Sequence, residues 1–297
     1  MQGIDFYKQA VDLQQKFRKP AQKIRNGIET NATLLDEKWS KFFKRARFEV
    51  GVSLDGPKKY HDEYRCYADG KGSFNDVMRG ISFLKNDEIE FSVIAVVNKK
   101  SVLYPEEIFE FFSSDKTFKL VNLVPALGIE TGHGFSFEYS VEPASYIDFL
   151  IRVFDFWLDS DNPELRILPL ESMIRAFMGF SHEDCRFTGD CTKNIVLESN
   201  GDIFACNTYS YGDFFKFGNI SDNIEQVINP EHSEKYRNYL RFLKNIKNKC
   251  FDCLWYKVCH GGCPGWYYLG NGKNIFCKDF KRLFAHIQKT LKEYNMI

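Results

Sequence analysis

The chain opens with alternating helical and strand-like patterns. "GIDFYKQAVDLQQKF" places Ile4, Tyr7, Val11 and Phe17 close to one helical face, and "LLDEKWSKFFKRA" and "YPEEIFEFF" are also helical, the latter opening at Pro105. The apolar runs "KIRNGIET", "FEVGVSLDG", "EIEFSVIAVVN" and "KLVNLVPAL" predict four strands. This βα alternation is typical of a parallel sheet or an open α/β barrel.

A further amphipathic helix is predicted in "GSFNDVMRGISFLK". Its buried stripe would consist of Phe74, Val77, Ile81 and Leu84, which recur at helical spacing. Ser73 precedes this stripe, and serine is a favoured N-cap residue because its hydroxyl can accept a backbone N–H. We therefore expect Ser73 to cap the helix.

Several residues are predicted at the carboxyl ends of the strands, where parallel sheets bind ligands. They are Thr30, Asn31, Ser53, Asp55 and Pro125. Four strands after an initial helix leave two interpretations open. The sheet is either a small one that begins with a helix, or a barrel whose first βα units are absent.

After about residue 130 the pattern changes. "GIETGHGFSF" is predicted as a loop, and "EPASYIDFLIRVFDFWL" and "LESMIRAFMGF" as helices. "NIVLESNGDIFAC" predicts a hairpin that turns at Asn200-Gly201, with Cys206 at its exit. The last helix starts near Cys277, and one of its faces carries Phe280, Phe284, Ile287 and Leu291.

Composition narrows the possible partners. The 297 residues contain 40 Lys plus Arg and 40 Asp plus Glu, so no net charge attracts nucleic acid or an anionic membrane. The first residues lack an apolar signal segment, and the longest apolar run, "FSVIAVV", is far shorter than the ~20 residues of a membrane helix. We therefore expect a cytoplasmic protein, in which thiols stay reduced and serve metals or catalysis.

Eight of the nine cysteines follow residue 184: Cys185, Cys191, Cys206, Cys250, Cys253, Cys259, Cys263 and Cys277. Eight thiols suffice for two four-thiolate sites, and four thiolates suit either zinc or a [4Fe–4S] cube. There is only one C-x2-C pair, and the wider, irregular gaps favour a bulky cube. Zinc and disulfides remain alternatives on spacing alone.

The remaining residues of the cysteine-rich region have simpler interpretations. Gly261, Gly262 and Pro264 fit a cluster loop, because glycines let backbone N–H groups approach cluster sulfurs. His260 is expected to be a loop residue rather than a ligand, since eight thiols already complete two sites. Cys66 stands apart and is expected to be an isolated buried or surface thiol.

The ladder C-x5-C-x14-C, then C-x2-C-x5-C-x3-C, then a last cysteine, resembles the SPASM domain of radical S-adenosylmethionine (SAM) enzymes. In particular it is similar to the anaerobic sulfatase-maturating enzymes, and "VGVSLDGPKKYHDEYR", "GKGSFNDVMRGISFL", "LESNGDIFACN" and "CHGGCP" match family signatures. The resemblance implies an α/β fold. A partial (β/α)6 barrel that lacks its first units would cover residues 1–130, a helical connection 131–180, and a small α+β SPASM domain 181–297.

The resemblance also implies roles for particular residues. One auxiliary [4Fe–4S] cluster would be held by Cys185, Cys191, Cys206 and Cys263, and the other by Cys250, Cys253, Cys259 and Cys277. Ser53 of "SLDGP" and Arg65 of "HDEYR" match positions that contact SAM. An arginine can hold the SAM carboxylate by a charge-assisted hydrogen bond.

The implied reaction is oxidation of a serine or cysteine of a sulfatase peptide to formylglycine. A deoxyadenosyl radical from SAM removes a β-hydrogen, the auxiliary clusters take an electron, and a ferredoxin or flavodoxin is the implied electron donor. The sequence departs from this pattern in two places. It has no C-x3-C-x2-C motif for the SAM-binding cluster, and Asn207 stands where the family has its aspartate base. Alternatives are a non-catalytic iron–sulfur protein that binds peptides or relays electrons, and a zinc-binding module.

We predict that the 297-residue chain does not cleave SAM by itself, because SAM cleavage needs a cluster with an iron open to SAM. Chromatography of an anaerobic reaction with dithionite should detect no deoxyadenosine above a protein-free control. Deoxyadenosine formed in proportion to protein would overturn this expectation.

Overall fold

The computed structural model describes residues 2–128, 130–131, 134–135, 138–207, 210 and 213–297. The chain divides into two compact units. Unit 1 comprises Met1–Ala126 and Arg152–Leu168, and unit 2 comprises Leu127–Ile151 and Pro169–Ile297. In the described parts, no helix is both long enough and apolar enough to cross a bilayer.

Unit 1 is built on a parallel sheet. Its strands, in spatial order, are β1 (Asn26–Thr30), β2 (Phe48–Ser53), β3 (Phe91–Val97), β4 (Leu120–Pro125) and β7 (Arg166–Leu168). All neighbouring pairs are parallel. The four predicted strands are confirmed. The fifth, β7, was missed because three residues are too few to show a periodic pattern, and it lies in the segment expected to be a helical connection.

Helices alternate with the strands of unit 1, as the βα pattern predicts, and the first helix precedes the first strand. They are α1 (Ile4–Phe17), α2 (Glu37–Ala46), α3 (Lys58–Tyr64), α4 (Phe74–Asn86) and α5 (Pro105–Ser114). α6 (Pro143–Asp159) contributes residues to both units. Asp36 begins α2 by accepting the backbone N–H groups of Lys38 and Trp39. Pro105 occupies the first turn of α5, where its missing N–H costs no hydrogen bond.

The predicted buried stripe of α4 is largely correct, but its predicted cap is wrong. Val77, Ile81 and Leu84 are buried. The hydroxyl of Ser73 makes no capping bond and instead donates to the carbonyl of Arg65 at 2.7 Å. Asp62 accepts the N–H of Phe74 at 2.8 Å. A carboxylate twelve residues before the first helical residue thus replaces the local serine.

Gly80 lets α4 approach the loop after β1 closely. A Cβ atom at this position would lie 2.1 Å from the carbonyl oxygen of Ala32, far inside van der Waals contact. Only glycine fits here without movement of the backbone. The helical pattern therefore has an interior glycine because of tertiary packing, not because of helix propensity.

α1 is helical as predicted, but none of its residues is buried. Tyr7 makes its main aromatic contacts, edge-on to Trp39 at 5.5 Å and to Phe48 at 6.4 Å between ring centroids. Phe17, assigned to the same face, is 71 % exposed.

Unit 2 is mainly helical. It contains α7 (Leu170–Phe177), α8 (Ile224–Val227), α9 (Glu234–Cys250), α10 (Tyr256–Cys259), α11 (Pro264–Leu269) and α12 (Cys277–Glu293). The antiparallel pair β5 (Glu130–Thr131) and β6 (Gly134–Phe135) lies within the predicted loop "GIETGHGFSF". Residues 129, 132–133 and 136–137 of that loop lie outside the described residues.

The predicted hairpin forms β8 (Val196–Leu197) and β9 (Asp202–Phe204), and β10 (Lys216–Asn219) adds a third antiparallel strand beside β9. The Glu198 N–H donates to the Asp202 carbonyl at 2.9 Å, and Gly201 closes the loop with a φ of 86°. The turn thus has three residues, with glycine in the left-handed conformation that this loop type requires. The predicted face of α12 is confirmed, since Phe280, Phe284, Ile287 and Leu291 are all buried.

Candidate functional site

All nine cysteines are free thiols, and Cys66 is exposed. The structure places the first predicted group of four on separate elements of unit 2. Cys185 begins a short 3-10 turn, Cys206 follows β9, and Cys263 occupies the N-cap of α11. Cys191, Cys206 and Cys263 all pack against the apolar cluster that contains Phe215 and Tyr239.

The thiols of this group are close enough to influence one another electrostatically. Burial, and then the neighbouring Cys263, Cys185 and Cys206, raise the pKa of Cys191 to about 12. Burial, and to a smaller extent Asp184 and Cys206, also raise the pKa of Cys185. Such coupling requires proximity, so Cys185, Cys191, Cys206 and Cys263 form one cluster of side chains.

Cys185 is held in place by buried polar contacts. Ser172, fully buried in α7, accepts the N–H groups of Glu183 at 3.2 Å and Asp184 at 3.3 Å. Asp184 also forms a buried ion pair with Arg186, with 2.6 Å between Oδ2 and Nη2. These bonds fix the backbone on both sides of the thiol.

The second predicted group also comes together. Cys250 ends α9, Cys259 ends α10, and Cys277 begins α12. Burial raises the pKa of Cys259 to about 12, the Gly261 N–H opposes this shift, and Cys250, Cys277 and Cys253 add to it. All four thiols line one cavity of about 310 Å³, which includes its open mouth.

The second group surrounds a cavity rather than a point. Among the residues that the structure describes, no three His, Cys, Asp or Glu side chains converge on a position for a single metal ion. Four outer thiolates around a space fit a [4Fe–4S] cube, which is much larger than one ion. The second group therefore fits the cluster that the sequence pattern implies, and the first group supplies four neighbouring thiols of the same chemistry.

The loop between the two groups depends on unusual backbone angles. His260, Gly261 and Gly262 have φ values of 48°, 92° and 77°. A Cβ atom on Gly261 would lie 2.8 Å from Ile246, and one on Gly262 would lie 2.7 Å from Asn274. Glycine is therefore required for conformation and for space at both positions.

His260 joins two parts of unit 2. Its Nδ1 lies 2.7 Å from the carbonyl oxygen of Phe187, within the segment that carries Cys185 and Cys191. Gly189 of that segment also passes His260 closely, since a Cβ there would meet the His260 Cβ at 2.7 Å. The expected loop role of His260 is thus a cross-link between segments.

Two tyrosines that sequence reasoning missed contact the cysteine groups. The hydroxyl of Tyr267 lies 3.1 Å from the Cys250 sulfur. The hydroxyl of Tyr239 donates to the carbonyl of Cys191 at 3.2 Å. For Tyr267 the signal in the sequence is "PGWYYLG" directly after Cys263, and Tyr239 lies in α9 with no such signal.

In unit 1, a buried ion pair lies at the carboxyl end of β2. Arg65 donates from Nε and Nη2 to the two carboxylate oxygens of Asp55, at 2.6 and 3.0 Å. Asp55 also accepts the N–H of Val96 at 2.9 Å, and its side chain is only 4 % exposed. Ser53 is the last residue of β2, so both predicted SAM contacts belong to this strand end or the segment after it.

His61 holds this strand end together. Its Nδ1 accepts the Asp55 N–H at 3.3 Å, and its Nε2 lies 3.1 Å from the Ser73 hydroxyl, which donates to the Arg65 carbonyl. The ring is fully buried, and burial is the main cause of its lowered pKa. A neutral His61 therefore positions the backbone of both Asp55 and Arg65.

Asn207 is exposed and follows Cys206 at the exit of the hairpin. Its amide oxygen lies 3.8 Å from the Cys206 sulfur. Its carbonyl accepts the Ser210 hydroxyl at 3.1 Å. The structure thus places this side chain beside the first cysteine group.

Comparisons with known proteins agree with this architecture. The SPASM profile, an iron–sulfur cluster-binding domain, matches residues 185–254. A cysteine-type anaerobic sulfatase-maturating enzyme from Clostridium novyi is 33 % identical over 97 % of this chain and 80 % of that protein. The chain belongs to the anaerobic sulfatase-maturating enzyme family. A serine-type member from Bacteroides thetaiotaomicron is 30 % identical over 97 % of this chain and 73 % of that protein.

Solved structures of the family have the same fold. Native anSMEcpe with bound AdoMet superposes with a TM-score of 0.84 at 27 % identity, over 98 % of this chain and 81 % of that one. The form with AdoMet and the Kp18Cys peptide gives the same TM-score at 28 % identity, over 99 % and 82 %. The predicted α/β fold of the family, with its SPASM domain, is confirmed.

We predict that Cys191 and Cys259 react slowly with iodoacetamide in the metal-free protein. A pKa of about 12, against an ordinary value of 9.0, lowers the thiolate fraction about a thousandfold. Mass spectrometry at pH 8 should show much faster alkylation of exposed Cys66. Labelling of Cys191 and Cys259 should rise about tenfold per pH unit up to about pH 12, because only the thiolate reacts.

The control is the same protein in urea, where all nine thiols should react at similar rates. Equal labelling of Cys66 and Cys191 in the folded protein would contradict the buried, coupled arrangement.

Proposed function

We propose that this protein is a radical SAM/SPASM oxidoreductase that acts on a serine or cysteine of a sulfatase-like peptide, and that unit 2 holds two [4Fe–4S] clusters. The observation that carries the proposal is the assembly of eight cysteines into two groups of four, in a chain of this family. The reducing cytoplasm, where we place the protein, keeps these thiols available for iron.

Cys185, Cys191, Cys206 and Cys263 would hold one cluster, and Cys250, Cys253, Cys259 and Cys277 the other. Mutual electrostatic coupling within each group supports this division, since each shifted thiol is influenced by members of its own group. Cluster binding requires deprotonated thiols, so loading releases protons and becomes more favourable as pH rises.

The surroundings of the second group suit thiolate ligands. The Gly261 N–H lowers the pKa of Cys259, and the charge of Lys281 lowers that of Cys277, in each case against the larger effect of burial. The Tyr267 hydroxyl can donate to the Cys250 sulfur. Hydrogen bonds to ligand sulfurs stabilise the reduced cluster and so raise its potential.

Ser53 and Arg65 would contact SAM at the carboxyl end of β2. Asp55 uses Nε and Nη2 of Arg65, which leaves Nη1 outside the ion pair and fixes the plane of the guanidinium. A fixed plane favours charge-assisted binding of a carboxylate such as that of SAM. Asp55 is therefore a positioning residue in this proposal.

A reduced cluster that binds SAM would supply the radical that removes the β-hydrogen of the peptide residue. The eight cysteines of the two groups do not provide that cluster, because they are assigned to the auxiliary clusters. The protein must then accept a proton from the substrate. We infer that Asn207 does not do this, because a neutral amide is not a base at physiological pH. Another carboxylate or a water molecule must take the proton, and a ferredoxin or flavodoxin is the proposed redox partner.

We predict that the anaerobically reconstituted protein contains about eight irons and about eight acid-labile sulfides per chain. The double variant Cys185→Ala/Cys191→Ala should lose about four of each, and so should Cys253→Ala/Cys277→Ala, because each pair belongs to a different group. Cys66→Ala is the matched control and should keep all of them. About two zinc ions per chain without sulfide would overturn the proposal in favour of a zinc module.

We predict weak, saturable SAM binding that Arg65→Ala reduces at least tenfold, because a charge-assisted hydrogen bond contributes about 1.5–3 kcal/mol. Equilibrium dialysis with labelled SAM measures the affinity. Arg45→Ala, an exposed arginine of α2, is the control and should bind as the wild type does. Unchanged binding by Arg65→Ala would remove Arg65 from the SAM site.

A further inference from the structure

Positive charge is concentrated in one segment of a chain whose net charge is zero. Residues 241–282 contain nine Lys and Arg but only two acidic residues, so this segment carries +7 and the rest of the chain −7. The segment includes Cys250, Cys253, Cys259 and Cys277. The excess of charge therefore belongs to the part of unit 2 that surrounds the second cysteine group.

The basic residues of this segment are mostly unpaired lysines. Lys244, Lys247, Lys249, Lys257, Lys273, Lys278 and Lys281 are all exposed. Within the described part of the chain, none of these seven forms a salt bridge with an acidic side chain, whereas Lys41, Lys58 and Lys59 of unit 1 do. Unpaired lysines leave a positive potential at the surface.

Two of these lysines, Lys249 and Lys281, are close to the second group of thiols. Lys281 lines the same cavity as the four cysteines, and its charge acts on Cys277. Lys249 precedes Cys250, and its Nζ donates to the carbonyl of Gly272 at 3.3 Å. Part of the positive charge therefore lies at the cavity of the second group.

Two large exposed apolar side chains follow cysteines of the second group in the chain. Phe251 is 73 % exposed and Leu254 is 84 % exposed, which are the highest values among large apolar residues in the described parts of the chain. They follow Cys250 and Cys253 directly. Exposed apolar residues beside a polar rim are typical of a protein-binding surface.

We propose that this surface, the basic face, docks a small acidic one-electron carrier protein. We define the basic face by Phe251, Leu254 and the seven lysines named above. The inference rests on the proposed function, because oxidation of the peptide residue releases one hydrogen atom, one proton and one electron. The cluster that Cys250, Cys253, Cys259 and Cys277 would hold would pass this electron to the oxidised carrier. The carrier would be reduced by one electron, and no atom would cross the basic face.

The chemistry of the basic face favours an acidic protein over nucleic acid. The charges available are lysines, because Arg282 is paired with Asp148 and Asp279, and Arg241 contacts Asn238. Lysines act as point charges that steer an oppositely charged surface, while bidentate phosphate recognition favours arginine. The apolar pair, Phe251 and Leu254, offers contact area that a phosphate backbone does not use.

The test measures binding of an acidic, oxidised ferredoxin to the reconstituted protein by calorimetry. The variant Lys257→Gln/Lys273→Gln/Lys278→Gln removes three charges from the basic face. The matched control, Lys38→Gln/Lys71→Gln/Lys116→Gln, removes three exposed lysines of unit 1. The first variant should bind at least about tenfold more weakly at about 50 mM salt, and the control within about twofold of the wild type.

Changing the salt concentration and substituting Leu254 separate the electrostatic contribution to binding from the apolar one. At about 500 mM salt the wild type and the first variant should converge, because screening removes the electrostatic attraction. Leu254→Ser should weaken binding by a similar factor at both salt concentrations, because apolar contact is not screened. Stopped-flow mixing of the reduced protein with the oxidised carrier should give rate constants in the same order as the affinities.

The docking surface would be overturned if the two triple variants bound the carrier equally well. It would also be overturned if a DNA duplex or phosphatidylserine vesicles bound the wild type more tightly than ferredoxin did. Iron and sulfide analysis of the same samples tests the proposed function separately from the docking surface. Full clusters without carrier binding contradict only the docking surface, whereas carrier binding without iron contradicts only the proposed function.

Discussion

Unit 2 depends on bringing together thiols that are up to 92 positions apart in the chain, from Cys185 to Cys277. Closing such distances costs backbone entropy, which buried contacts must offset. An aromatic cluster supplies many of these buried contacts. The ring centroid of Phe280 lies 5.1 Å from that of Phe187 and 5.2 Å from that of Trp266. The aromatic core therefore helps to hold the segments that carry the two cysteine groups together.

The buried polar contacts near the thiols determine how the loops are arranged and contribute little to the total stability. Ser172 fixes the backbone before Cys185, and His260 ties the loop after Cys259 to Phe187. A buried hydrogen bond contributes only about 1 kcal/mol net, but leaving its partner unsatisfied costs more. These contacts thus select one arrangement of the loops. In unit 1, His61, Asp55 and Arg65 do the same for the end of β2.

The proposed partner of unit 2 depends on the distribution of charge along the chain. Because the net charge of the chain is zero, the composition alone predicts no electrostatic attraction of a charged partner. The excess of unpaired lysines in residues 241–282 reverses it locally. A local field steers an encounter even when the net charge is zero, because screening over about 8–10 Å limits the influence of distant charges.

Much of the fold and the chemistry followed from the sequence alone. Periodicity predicted four parallel strands, most helices and the buried face of α12, because these depend on local spacing. Cysteine spacing and the matching motifs indicated the family and two sets of four thiols. Only the tertiary structure decided that Asp62 caps α4 in place of Ser73, that β7 joins the sheet, and that Tyr267 contacts Cys250. Each depends on residues distant in the chain, whose contacts no local pattern records.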